Sequence, residues 1–206
     1  MNTGRRTQQE RRESAEAALL AAAAELVVEG GVRALTLAAV GEKAGYSRGL
    51  ITHHLGSKRV LLERLARTTQ AGFVPGLGEV APGLHRLLRL VDGYLEALGR
   101  RTAPHPWAFL LLWAEAATEP DLAAIFRERD DAFRADLRRD VDAGIEEGTI
   151  RPDADPTAVA VAVLGQLLGI GLQQLLDPPA VDLSGLQVAV VDQWRRALST
   201  AGDSAC

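Results

Sequence analysis

The chain has 206 residues, of which 47% are hydrophobic and 24% charged, with a formal net charge of −4. That balance is enough for a folded core and excludes a chain too polar to collapse. The single cysteine, Cys206, excludes a disulfide framework, and the polar opening MNTGRRTQQERRES has no apolar run, so no secretory signal and a cytoplasmic location are expected.

Charge is unevenly spread. Residues 1–67 carry 11 Lys+Arg against 7 Asp+Glu, whereas the rest carries 12 against 20. A basic first third on an acidic body suits contact with an anion such as nucleic acid through the N-terminal part; chance clustering is the alternative.

From Ala15, apolar residues recur at Ala18, Leu19, Ala22, Leu26 and Val27, the intervals of a helix, with Ser14 as N-cap and Gly30-Gly31 as stop. Thr36 opens a second, short helix through Leu37 and Val40 that closes at Gly45. Ser47 opens a third, ending near Leu55, and Ser57 a fourth through Val60, Leu61, Leu62 and Leu65. The second and third are joined by a tight turn, the sequence form of a helix-turn-helix. At about 100° per residue, the third helix divides into an inward stripe, Leu50, Ile51, His54 and Leu55, and an outward one, Arg48, Gly49, Thr52 and His53. The adjacent His53 and His54 therefore diverge. With no HExxH or cysteine ligand spacing elsewhere, no metal and no cofactor are expected. His54 is expected in the core, satisfied by a hydrogen bond.

The acidic remainder reads as further helices over 84–98, 105–117, 121–147, 156–176 and 183–198. Asp155-Pro156 is a strong start, an acidic N-cap before proline in the first turn. The expected fold is all-α, about nine helices with no strands. The helix from Pro156 is apolar nearly all round and long enough for a bilayer, but Gln166, Gln173 and Gln174 interrupt it and no basic flank or aromatic belt accompanies it. No membrane span is expected. A helix buried on two sides gives the same pattern, one side facing its own domain and the other a second subunit. Gly165 and Gly169 would let another helix approach, with Leu172, and Val188, Val191 and Trp194 of the last helix, completing a homodimer contact.

The stretch ALTLAAVGEKAGYSRGLITHHLGSKRVLLERL, residues 34–65, resembles the DNA-binding domain of the Tet repressor (TetR/AcrR) family at Thr36, Ala44-Gly45, Ser47, His54, Gly56, Ser57 and Lys58. It departs at Thr52, where the family has tyrosine, and at His53 and Leu55, where it has aromatic residues. The resemblance implies a DNA-binding part over 1–56 and a helical effector-binding and dimerisation part over 57–206. It implies that the third helix enters the major groove of a double-stranded operator. Arg48 would then pair with guanine, Thr52 meet a thymine methyl or phosphate, and His53 a guanine or phosphate, with Ser47 and Gly49 close by. Thr36 and Lys58, at helix starts, and Tyr46, in the turn, would meet the backbone. Arg5, Arg6, Arg11 and Arg12 form either a minor-groove arm or a free tail.

The resemblance further implies an effector pocket in the larger part. Its candidates are Trp107, Phe109, Leu110, Trp113, Phe126, Phe133 and Gln166, with Tyr94, Glu115 and Gln173 as polar anchors. Three functions compete: a repressor released by a small-molecule effector, a helical interaction protein that has lost DNA binding, and an enzyme. No P-loop or Rossmann pattern supports the last, and the repressor is expected.

Overall fold

A computed structural model describes residues 8–70, 74–100 and 104–200, except for the side chains of Arg48, His53, Gln70, Pro104 and His105. Among these residues there are nine α-helices and no strand, only an isolated antiparallel bridge between Ile150 and Ser199. The helices are α1 (Gln8–Gly30), α2 (Leu37–Ala44), α3 (Arg48–Leu55), α4 (Lys58–Gln70), α5 (Leu84–Gly99), α6 (Pro104–Glu115), α7 (Pro120–Glu146), α8 (Pro156–Leu176) and α9 (Leu183–Leu198).

Most boundaries follow local capping. Thr36 accepts a hydrogen bond from the Ala39 amide at 3.1 Å and so caps α2. Asp155 accepts from Thr157 and Ala158 at 2.8 and 3.3 Å and caps α8, with Pro156 next. The first helix differs from expectation. It is already helical at Gln8, the first described residue, so Ser14 is an internal residue and Arg11 and Arg12 are helical. The segment QQERRES lacks apolar periodicity, but it holds good helix formers and an i,i+4 bond from Gln9 to Glu13 at 2.7 Å. Arg5 and Arg6 lie outside the described residues.

The chain packs as two compact units, Met1–Ala71 with Ala103–Phe126, and Gly72–Thr102 with Arg127–Cys206. In the first, α1 is the central helix and contacts α2, α4 and α6. Its buried face, Leu19, Leu20, Ala23, Ala24 and Val27, is rich in alanine, which lets neighbouring backbones come close. The nearly all-apolar α6 buries Trp107, Ala108, Phe109, Leu110 and Leu112, and Phe109 meets Phe126 with ring centroids 5.6 Å apart. Ion pairs from Lys43 to Glu25 and Glu29, and from Arg64 to Glu16, tie α2 and α4 to α1.

In the second unit, α5 packs on α9 and α8 through Leu87, Val91, Leu95 and Leu98. Asp140, almost fully buried on α7, accepts from Arg86 Nε at 2.6 Å and from the Gly83 amide at 3.1 Å. It thereby neutralises a mostly buried cation and satisfies an amide at the start of α5. The end of α9 is closed by Arg151, whose amide and Nε donate to the carbonyls of Leu198 and Ala197 at 2.8 and 2.9 Å. Helix α8 is long and apolar enough to cross a bilayer by composition alone, but 44% of that stretch is buried inside the protein.

Candidate DNA-binding site

The turn between α2 and α3 is set by two glycines with different tasks. Gly45 adopts φ +73°, the left-handed conformation that closes a helix without a Cβ penalty. The Gly45 amide donates to Glu42 O at 3.2 Å and the Tyr46 amide to Gly41 O at 2.8 Å, the paired bonds of a Schellman motif. Gly41 lies inside α2, where glycine costs about 1 kcal/mol relative to alanine. The packing explains it: a Cβ there would stand 1.9 Å from Cδ1 of Ile51 and 3.0 Å from the Tyr46 carbonyl oxygen. Helix α3 rests on the bare backbone of α2. This positioning role is missing from the sequence reading, although a glycine within an eight-residue helix is a signal of close approach.

Ser47 occupies the N-cap of α3, but its side chain makes no capping bond; its carbonyl accepts from the Leu50 and Ile51 amides. Ile51 and Leu55 are each 1% exposed and define the inward direction of α3. His54 is half-buried. Leu50, expected inward, is instead 36% exposed, because the inward face is narrower than the four-residue stripe expected from the wheel. Gly49 and Thr52 are exposed and Tyr46 half-buried, while Arg48 and His53 occupy α3 with side chains outside the described set.

At the next turn Ser57 caps α4, its Oγ accepting from the Val60 amide at 3.3 Å. Lys58 and Arg59 are exposed on the first turn of α4 and form no ion pair among the described residues. They contrast with Lys43, whose ammonium is held above its ordinary pKa by hydrogen bonds to Glu29 and then Glu25. Thus Lys43 serves the α1–α2 contact, whereas Lys58 and Arg59 remain available to an anion.

The residues expected around an effector divide between the two units. Trp107, Phe109, Leu110 and Phe126 are buried, and Trp113 and Glu115 half-buried, in the first. Tyr94 is buried, Phe133 half-buried and Gln173 exposed in the second. Burial raises the Tyr94 phenol above its ordinary pKa, so it is neutral at physiological pH. Gln173 donates to the Gly169 carbonyl at 3.3 Å. Gln166 joins two helices: it accepts from Trp194 Nε1 at 2.6 Å and donates to Gln193 at 3.1 Å. Trp194, whose indole is engaged with Gln166, is 9% exposed.

The remaining dimer candidates keep an outward character. Gly165 is exposed and Gly169 half-buried, and an added Cβ at either would meet nothing within 4 Å. Leu172 and Val191 are half-buried. Val161, Leu176 and Val188 are 54, 88 and 65% exposed. Among the described residues no His, Cys, Asp and Glu cluster is placed to hold a metal ion.

A helix-turn-helix with an exposed second helix, followed by exposed cations on a basic first third and joined to a larger helical part, defines a DNA-binding transcriptional regulator. The chain belongs to the TetR family: the model of bacterial regulatory proteins of the tetR family matches residues 19–65, and that of the C-terminal part of BetI-type transcriptional repressors matches residues 83–199. It is 23% identical over 176 residues to the HTH-type transcriptional regulator BetI of Vibrio campbellii, covering 82% of this chain and 84% of that one. It is 30% identical over 148 residues to the HTH-type transcriptional repressor KstR2 of Mycobacterium tuberculosis, covering 66% and 70%. A transcriptional regulator from Saccharomonospora viridis, solved in complex with choline, shares the fold with a TM-score of 0.76 at 20% identity, over 91% of this chain and 99% of that one. These relatives are regulators, not enzymes.

Proposed function

We infer that the protein is a homodimeric repressor that holds a palindromic operator and leaves it when a small-molecule effector binds. The functional division is 1–56 for DNA reading and 57–206 for effector binding and dimerisation, although α4 and α6 pack with the first three helices. The observation that carries the reading is the α2–α3 turn, in which Gly45 closes α2, Gly41 receives Ile51 of α3, and Gly49, Leu50 and Thr52 stay exposed. Helix α3 enters the major groove, with Arg48, Gly49, Thr52 and His53 among its reading residues. Thr36, Tyr46, Ser47 and Lys58 hold the backbone, Lys58 from a helix start where the dipole favours phosphate.

Two copies join through the outer face of α8, with Val161, Gly165, Gly169, Leu172 and Leu176, beside Val188 and Val191 of α9. An apolar face of this extent on a helix otherwise packed in its own unit favours a second copy as its cover. The S. viridis neighbour, solved in complex with choline, supports a small-molecule effector, for which Trp107, Phe109, Leu110, Trp113, Glu115 and Phe126 of the first unit are the candidate contacts. Repression operates in the cytoplasm, where the operator is. The test is fluorescence anisotropy of the full chain with DNA from upstream of its own gene, against random duplex of equal length. Tight, saturable binding to the former at physiological salt is expected; equal affinity for both would remove the operator reading.

A further inference from the structure

We propose that Leu50 is a specificity-determining residue that reads the C5 methyl group of a thymine in each half-site; the proposal rests on the placement of α3 in the major groove. A single leucine in water is ordinary on a protein surface, and its exposure alone would carry nothing. Its location gives it meaning. Helix α3 has only eight residues, and Ile51 and Leu55, each 1% exposed, fix which side of it is buried. Leu50 is turned away from that side and is 36% exposed, on a helix whose Gly49 and Thr52 are exposed as well. A Cβ at Gly49 would meet nothing within 4 Å, so the surface beside Leu50 is low and a base edge can come near its isobutyl group. The exposed Lys58 and Arg59 that begin the next helix supply charge for a phosphate backbone.

The chemistry then selects the partner. Base edges in the major groove offer hydrogen-bond donors and acceptors, and one apolar group, the thymine methyl. A leucine driven against guanine O6 or the adenine amino group would strip water from a polar edge and return no bond. Against a thymine methyl it buries apolar surface on both sides. Leu50 therefore favours a T·A pair at the position it faces.

The decisive change is in the DNA rather than the protein: uracil differs from thymine here only by that methyl. The full chain is used to enrich a duplex from a randomised pool, and each thymine of a half-site is then replaced by uracil in turn. Anisotropy titration should show about a fourfold loss at one position per half-site, the size of one buried methyl, and little at the others. Leu50→Ala should bind the parent duplex more weakly, keep its melting temperature, and show no loss at that same position. The proposal is overturned if uracil is tolerated at every position, if Leu50→Ala remains as sensitive as the wild type, or if Leu50→Ala melts earlier with unchanged DNA affinity. If no duplex is enriched at all, operator binding fails and this proposal with it; an enriched duplex indifferent to uracil removes only the role of Leu50.

Discussion

Gly41→Ala probes whether α3 is held by close approach to α2. The new Cβ would stand 1.9 Å from Ile51 Cδ1, 3.1 Å from Ile51 Cγ1 and 3.0 Å from the carbonyl oxygen of Tyr46. The Cδ1 methyl ends a flexible chain, but Ile51 is 1% exposed and has no solvent to turn into. The carbonyl belongs to the turn itself. Overpacking of this kind costs about 1–3 kcal/mol, and the better helix propensity of alanine offsets about 1 kcal/mol of it. The net stability loss is then on the order of 1 kcal/mol, a few degrees in melting temperature. Operator affinity should fall by more than stability suggests, because the helix that enters the groove is the one displaced. Shortening the opposing side chain tests the cause. Ile51→Val alone costs about 1 kcal/mol, and the double variant should be more stable than the two single losses predict, by on the order of 1 kcal/mol. Chemical denaturation and anisotropy on the four proteins read both quantities. If Gly41→Ala is stabilising, with operator affinity intact and no coupling to Ile51, the approach of α3 to α2 is not what sets the site.

Lys58→Ala should weaken operator and random DNA alike and reduce the slope of log K against log salt by roughly one counterion per half-site, measured by titration at several salt concentrations; an unchanged slope would make Lys58 a solvated helix start. Asp140→Ala removes the partner of a mostly buried Arg86 and an acceptor for the Gly83 amide, and should cost about 3 kcal/mol in chemical denaturation, far more than an exposed substitution. Val161→Asp places a charge on the outer face of α8, away from the intrachain core; sedimentation equilibrium should show a folded monomer with the helical content of the wild type, and a persistent dimer would move the interface elsewhere.

The sequence by itself determined the helices whose ends are local events. α8 and α9 fall at Pro156–Leu176 and Leu183–Leu198 as expected, because an acidic N-cap and a following Pro-rich break act within a turn of the chain. The α2–α3 turn was equally legible, since Thr36, Gly45 and Ser47 are short-range signals. The start of α1 escaped because propensity without an apolar stripe leaves no periodic mark. Tertiary structure alone decided the rest. A helical wheel pointed Ile51 and Leu55 of α3 inward but could not say how wide the buried face is. Ile51 packs on Gly41 and Leu55 is buried with it, while Leu50 is turned outward. In the same way Gln166 and Trp194, 28 residues apart, carry no mark of each other in the sequence. Only the folding of α9 against α8 brings indole to amide, and the same packing leaves Val161, Leu176 and Val188 on the outside. The physical reason is range: caps and turns are hydrogen bonds within a few residues, whereas the direction of a helix face is set by neighbours distant in the chain.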